Sequence, residues 1–194
     1  MTYHEDFSDR RSGWPDRVFP GFSAHYIPGG YRLFRSQSPV SVPAIKGLVA
    51  EAADSIVAYG PWWGNFRASA RVEAHWLAPD SAVGMAFDVM ERGYYAFVLD
   101  VPGQAHQITF ELVEGDWSGA RSVIIPWTPV ADMDRPGKVY KLSMEQNRGR
   151  ISLAVDGHQV GSIQDAAYEY GLIGISIFDQ GSITVHDLLV QAIP

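Results

Sequence analysis

The sequence contains no cysteine, which excludes disulfides, zinc-thiolate sites and a cysteine nucleophile. Cysteine-free chains occur on both sides of a membrane, so this absence leaves the redox compartment open. No run is apolar enough to span a bilayer, and the N-terminal stretch lacks the apolar segment of a signal peptide. We therefore expect no membrane as a partner, and a cytoplasmic location if the chain is full length.

Positive charge is also sparse. Fifteen Lys and Arg stand against 22 Asp and Glu, which gives a formal net charge of −7, and the basic residues are scattered along the chain. Nucleic acid is excluded as an expected partner because its phosphates require concentrated positive charge. With 194 residues, 46% of them hydrophobic and 19% charged, the composition predicts one globular domain over residues 1–194.

Alternation of apolar and polar residues is the strongest pattern present. It is strict over 66–76, where Phe66 begins the apolar side and Arg67 the polar side, and it predicts a half-buried strand. Similar runs at 83–89 and 94–101 predict a hairpin in which Phe87 pairs with Phe97.

The remaining runs are short and are separated by turns that contain Gly or Pro. Turn signals about every 8–12 residues predict an antiparallel β-sandwich or barrel. The one helix-like stretch, 44–55, is interpreted either as one or two helical turns or as a loop between strands.

The stretch ISLAVDGHQVGSI, residues 151–163, predicts a tight hairpin. Asp156-Gly157 suits a two-residue type I′ turn, in which glycine tolerates positive φ. The register that follows pairs Val155 with His158 and Leu153 with Val160. His158 then lies at the rim of an apolar face, which favours a structural position over a binding role.

The sequence resembles a known family in five stretches, which occur in this order: FRASARVEAHW, VGMAFDVMERGYYAFVLD, ISLAVDGHQVGSI, GLIGISIF and GSITVHDLLV. The chain resembles the concanavalin A-like lectin/glucanase superfamily in its laminin-G-like bacterial branch, and its layout is similar to keto-disaccharide hydrolase domains. The resemblance implies a jelly roll of two curved antiparallel sheets. It also implies adjacent first and last strands, with Phe7 near Leu188 or Val190. Members bind sugars, hydrolyse them or bind proteins, so no single function follows.

Glycoside hydrolysis requires two carboxyl groups that face one bond. The glucanases of this superfamily carry Glu-x-Asp-x-x-Glu or a close variant on one strand, and this sequence lacks it. Glu73, Asp88 and Asp100 are the best carboxylate group that the predicted strand faces assemble, as weak catalytic candidates. Structural roles are favoured for them, so the interpretation leans away from an enzyme, with action on glycosidic bonds as the alternative.

Metal-binding patterns are absent. The six histidines show no HxH or HExxH spacing, so we expect no metal and no cofactor. A structural calcium ion is known in the superfamily and stays open as an alternative. Asp6, Asp9 or Asp187 would then contribute oxygens, although no Asp-rich loop indicates such a site.

The segment YGPWWGNF, residues 59–66, suggests sugar binding, in which exposed aromatic rings and polar side chains meet a saccharide. Two adjacent tryptophans on an extended chain cannot both face inward, so Trp62 or Trp63 is expected to be partly exposed. Trp14, Trp76 and Trp127 are expected to pack in the core. The candidate ligand-binding residues are Tyr59, Trp62, Trp63, Arg67, Arg71, Glu73, His75 and Tyr94.

These residues favour a non-catalytic, lectin-like carbohydrate-binding module that uses the concave sheet. The alternative is a protein-interaction or assembly domain that uses the same surface or an edge strand. The sequence leaves the ligand and the oligomeric state open.

Overall fold

Two antiparallel β-sheets make up the part of the chain that the computed structural model describes, which is residues 1–19, 21–36, 48–51, 54–79, 81–100, 109–116, 120–130, 139–165 and 167–194. One short 3-10 helix, Arg10–Ser12, follows the first strand. The strands within these residues are β1 (Thr2–Glu5), β2 (Arg17–Phe19), β3 (Phe22–Ile27), β4 (Gly30–Arg35), β5 (Leu48–Glu51), β6 (Asp54–Ala58), β7 (Phe66–Leu77), β8 (Ala82–Met90), β9 (Gly93–Asp100), β10 (Thr109–Gly115), β11 (Arg121–Pro129), β12 (Val139–Asn147), β13 (Arg150–Val155), β14 (His158–Gln164), β15 (Leu172–Phe178) and β16 (Gly181–Ala192).

In the described residues, one sheet has nine strands in the order β14-β13-β12-β7-β16-β4-β3-β2, and β1 also pairs with β16. The other has seven strands in the order β11-β10-β9-β8-β15-β6-β5. The predicted antiparallel sandwich is confirmed, and so is the adjacency of the first and last strands. No helix in the described part of the chain has the length and hydropathy to cross a membrane.

The core fills the space between the two sheets. Inward-facing side chains of β7 and β16 meet those of β8, β9 and β15 there, because apolar residues occupy alternate positions on each strand. At one end, aromatic rings pack with centroid separations between 5.2 and 6.4 Å. Trp14 belongs to this group, as expected, and its members are Phe7, Trp14, Tyr26 and Tyr31.

The opposite face of the seven-stranded sheet is buried as well. Its side chains form a second buried apolar cluster, which includes Ala86, Ala96, Val98, Val113 and Phe178. Gly84 of β8 allows β8 and β9 to approach closely, since a Cβ at this position would lie 2.1 Å from the Phe97 carbonyl oxygen. The nine-stranded sheet is therefore the one that presents a polar face to solvent.

A bulge changes the register of the β8–β9 hairpin. Phe87 pairs with Tyr95 and Met85 with Phe97, so the predicted pairing of Phe87 with Phe97 is wrong by two residues. The register shifts between Phe87 and Met90, where Asp88 adopts a φ of 49°. A bulge of this kind adds residues on one strand only and re-aims their side chains.

Asp88 is fully buried as a result and lies beside the buried Gln146 of β12. Burial raises the pKa of Asp88 to about 7, and the nearby Gln146 side chain acts in the opposite direction. Within the described residues neither carboxylate oxygen of Asp88 has a hydrogen-bond partner, and neither has Gln146 Oε1. The neutral acid is the form that suits this site, because it can donate a proton to an acceptor.

Bulges also explain the two tryptophans that the alternation misplaced. In β7, Ala74 pairs with Ile183 and Trp76 with Ser182, so one extra residue turns Trp76 outward, where 48% of it is exposed. The register of β10 with β11 shifts twice, between Phe110 and Leu112 and between Leu112 and Val113, and Trp127, which lies opposite the first shift, is 45% exposed. The core positions predicted for Trp76 and Trp127 are wrong because one added residue reverses the side of the strand.

Two other expectations concern local structure. In the described part of 44–55 the chain is strand, because β5 pairs with β6, while residues 44–47, 52 and 53 lie outside the described residues. In the 151–163 hairpin, Asp156 and Gly157 have φ of 48° and 84°, which agrees with the predicted type I′ turn. Val155 pairs with His158 as predicted, but a bulge places Leu153 opposite Gly161 instead of Val160.

Two glycine substitutions should separate steric exclusion from turn strain. Gly84→Ala should cost about 3 kcal/mol or more, because its Cβ would meet the backbone of β9. Gly157→Ala should cost only about 1 kcal/mol, since its φ is positive but no atom lies within 4 Å of the added Cβ. Urea unfolding of both variants measures the difference, and equal losses would contradict this account of β8.

Asp88 should make stability depend on pH. Its folded pKa is above its unfolded value, so the folded state binds the extra proton and stability falls as pH rises from about 4 through about 7. The full loss is on the order of 4 kcal/mol. Asp88→Asn removes this dependence, so the free energy of unfolding of the variant should rise relative to that of the wild type between pH 5 and pH 8. A wild-type-minus-variant difference that stays constant over that range in urea unfolding would refute the assignment.

Candidate ligand-binding site

The outer face of the nine-stranded sheet carries polar side chains from five neighbouring strands, and we call it the polar face. It occupies the positions of β7, β12, β13, β14 and β16 that alternate with core residues. Arg67, Arg71, Glu73 and His75, which the alternation of β7 predicted to share one side, lie together here. The polar face comprises Arg67, Ser69, Arg71, Glu73, His75, Lys141, Ser143, Glu145, Ser152, Gln159, Thr184, His186, Asp187 and Gln191.

A groove crosses the β12–β14 side of the polar face. Its first hollow has a volume of about 360 Å³ and is lined by Arg67, Lys141, Glu145, Ser152 and Gln159 together with neighbouring residues. A second hollow of about 650 Å³ shares Glu145, Ser152 and Gln159 and adds Arg148 and Arg150. Both volumes fall in the range of small-ligand sites.

Sequence reasoning missed most of this groove. Lys141, Ser143 and Glu145 alternate with buried residues of β12, in the same way as the polar side of β7. That alternation was readable in the sequence, but only the register shows that β12 and β7 are neighbours, with Glu145 opposite Arg67.

Two ion pairs order the side chains of the polar face. Arg67 Nε donates to Glu145 Oε2 at 2.6 Å, and the Arg71 guanidinium donates to the Asp187 carboxylate. The arginines are more than half exposed, so each pair adds at most about 1 kcal/mol to stability. The main effect of these pairs is to tie each arginine of β7 to a carboxylate on a neighbouring strand, Glu145 on β12 and Asp187 on β16.

Glu73 connects two histidines in the middle of the polar face. Its Oε2 lies 3.0 Å from His186 Nε2, and its Oε1 lies 3.7 Å from His75 Nδ1. His186 Nδ1 lies 2.9 Å from the carbonyl oxygen of Gly29, so both ring nitrogens of His186 face acceptors. Among the described residues, no group of three or more His, Asp or Glu is arranged to hold a metal ion.

The three aspartates considered for calcium all have other partners. Asp6 accepts from the backbone N–H of Ser8 at 2.9 Å, and Asp9 accepts from that of Arg11 at 2.9 Å. Asp187 is paired with Arg71.

The tandem tryptophans divide as the sequence predicted, with one buried and one exposed. Trp63 is buried, and its backbone N–H and C=O bond to Gly171 at 2.9 and 3.0 Å. Trp62 is 54% exposed and packs against the equally exposed Tyr170, with ring centroids 5.6 Å apart. The pair offers two aromatic faces to solvent.

Burial excludes two of the predicted aromatic residues from contact with a ligand. Trp63 and Tyr94 are each almost fully buried, so the predictions for these two residues are wrong. Tyr94 does point away from the sandwich core, but that outer face of the seven-stranded sheet is itself covered. Tyr59 is half-buried and packs where a Gly13 side chain would otherwise lie, so its ring is largely committed to the fold.

The aromatic pair and the groove lie at the same end of the nine-stranded sheet. Asn65, three residues after Trp62, accepts from the Arg148 backbone N–H through Oδ1 at 2.9 Å. Arg148 occupies the turn between β12 and β13 and lines the second hollow. Trp62 therefore lies three residues from a contact with the turn that lines the second hollow, but it lines neither hollow itself.

The three weak catalytic candidates do not converge. Glu73 lies on the polar face, whereas Asp88 and Asp100 belong to β8 and β9 of the other sheet. The bulge buries Asp88, and Asp100 ends β9 opposite Thr109. The prediction that these carboxylates share a face is wrong because the strands that carry them belong to different sheets.

No protein-family model matches the sequence, and no curated protein matches it. Among solved structures, the carbohydrate binding module CBM66 from Bacillus subtilis is similar, with a TM-score of 0.65 and 16% identity over 89% of this chain and 93% of that one. A prokaryotic β-1,3-1,4-glucanase (lichenase) derived from a mouse hindgut metagenome has a TM-score of 0.65 and 11% identity, with 100% of both chains covered.

A β-glucanase from Bacillus licheniformis is also similar, with a TM-score of 0.62 and 8% identity over 99% of this chain and 98% of that one. These three structures are jelly-roll sandwiches, and at such low identities the likeness concerns the fold. The protein therefore has the concanavalin A-like jelly-roll fold that the sequence resemblance implies.

Proposed function

We propose that this protein is a carbohydrate-binding module that takes a saccharide in the groove of the polar face. The observation that carries the proposal is the groove itself, an open hollow of about 360 Å³ on a sheet face, lined by hydroxyl, amide and charged side chains. Trp62 and Tyr170 border the same end of the sheet and are free to stack on a sugar ring.

The lining of the groove suits a polyhydroxylated ligand. Ser143, Ser152 and Gln159 supply both donors and acceptors, which sugar hydroxyls need because each can donate one hydrogen bond and accept others. Aromatic rings complement the apolar faces of pyranose rings. A site with a few polar groups beside exposed rings therefore matches the two kinds of surface that a saccharide presents.

The dimensions favour an oligosaccharide over a single sugar. The two hollows adjoin through Glu145, Ser152 and Gln159, so a chain could lie across several strands. The named carbohydrate-binding and glucanase structures of the same fold favour the same class of ligand by analogy.

A glycan array followed by affinity electrophoresis in soluble polysaccharides tests the proposal. The wild type should bind at least one class of glycan. Trp62→Ala with Tyr170→Ala should weaken that binding about tenfold, because ring stacking of this kind contributes about 1 kcal/mol or more. Both side chains are more than half exposed, so the free energy of unfolding should change by no more than about 0.5 kcal/mol.

Trp127→Ala is the matched control, since Trp127 is similarly exposed but lies on β11, at the edge of the other sheet. Its binding should equal that of the wild type. Binding to no glycan, or equal losses in the Trp127 and Trp62 variants, would overturn the proposal.

A further inference from the structure

Cationic side chains are concentrated in the groove although the protein as a whole is acidic. Four of the 15 Lys and Arg line the two hollows, namely Arg67, Lys141, Arg148 and Arg150. Of the 22 Asp and Glu, only Glu145 belongs to the same lining, and Pro194, whose terminal carboxylate adds one more negative charge in this chain, lines the second hollow. The side chains of the groove therefore carry a net positive charge within a chain of net charge −7.

Only one of these cations is neutralised by the protein. Arg67 is paired with Glu145, whereas Lys141, Arg148 and Arg150 form no ion pair with any described residue. The nearby Asp156 carboxylate accepts from the Lys141 backbone N–H at 2.7 Å, not from its ammonium group. Three cations thus remain available to a ligand.

The register places like charges side by side. Lys141 pairs with Arg71 across β12 and β7, and both side chains belong to the polar face. Like charges directly opposite each other on a sheet are destabilising. Arg71 is balanced by its ion pair with Asp187, whereas Lys141 has no such partner among the described residues, so a bound anion would neutralise the excess charge that Lys141 adds.

We infer that the groove binds an acidic saccharide, one that bears carboxylate or sulfate groups along its chain. This inference rests on the proposed function and specifies its ligand class. Arginine guanidinium groups bind carboxylate and sulfate oxygens with two parallel hydrogen bonds. Arg148 and Arg150 line the second hollow, at one end of the groove, and supply two such groups. Ser143, Ser152 and Gln159 meet the hydroxyl groups between the anionic ones.

A local positive field within an acidic surface gives this recognition its selectivity. The net charge of −7 repels polyanions that cannot enter the groove, and the cations attract one that can. Because the cations are exposed, the attraction is screened by salt. Affinity for an acidic saccharide should fall about fivefold between 50 and 200 mM NaCl.

Two matched pairs of polymers test the inference by affinity electrophoresis or calorimetry. Polygalacturonate is compared with its methyl ester, and dextran sulfate with dextran. We expect at least one acidic polymer to bind tenfold or more tightly than its neutral partner, and the two arms distinguish carboxylate from sulfate. R148Q/R150Q should weaken that binding at least tenfold without lowering the thermal midpoint.

R17Q is the control for removal of surface charge, because Arg17 is exposed on β2, at the opposite edge of the sheet from β14. Its affinity should match that of the wild type. Tighter binding of a neutral polymer would overturn the inference and leave the proposed function intact, whereas binding of no polysaccharide would overturn both. The inference would also be overturned if single-stranded DNA bound as tightly as the acidic polysaccharide, or if R17Q lost as much affinity as R148Q/R150Q. Either result would indicate non-specific attraction of polyanions.

Discussion

The pairing of β7 with β16 is the interaction on which the rest of the molecule depends. Eleven residue pairs join the two strands at the centre of the nine-stranded sheet. Their inner sides hold core residues such as Val72 and Val185, and their outer sides hold the charged and hydrogen-bonding groups of the polar face. The polar-face residues of β7 and β16 owe their direction to that register, because a slip by one residue would exchange the two sides.

Two irregularities in this pairing shape the polar face. The extra residue at His75 turns Trp76 outward, and the extra residue at His186 brings a second histidine to Glu73. A perfectly regular ladder would have left Glu73 beside fewer polar partners. Bulges often occur where a sheet must re-aim side chains, and here they concentrate charged and polar groups on one surface while the core side remains apolar.

The sequence predicted the sandwich, the strand at 66–76 and the shared side of Arg67 and Arg71, because alternation is a local property of the chain. It could not predict the bulges at Asp88, His75 and Trp127, since an added residue is recognised only against its partner strand. The same limit applies to the buried outer face of the seven-stranded sheet. It also applies to the groove, whose residues come from strands far apart in sequence and meet only through sheet order.

The late position of β16 has a consequence for how the molecule is made. β16, at the centre of the nine-stranded sheet, comprises residues 181–192. It pairs with β1 at residues 2–5 and with β7 at residues 66–77. During synthesis, the first strands leave the ribosome with the middle of their sheet missing, and their edges stay unpaired until that segment emerges. Closure of such distant pairings is slow, so the unpaired edges of the first strands are open to edge-to-edge association for longer than those of a sheet built from consecutive hairpins.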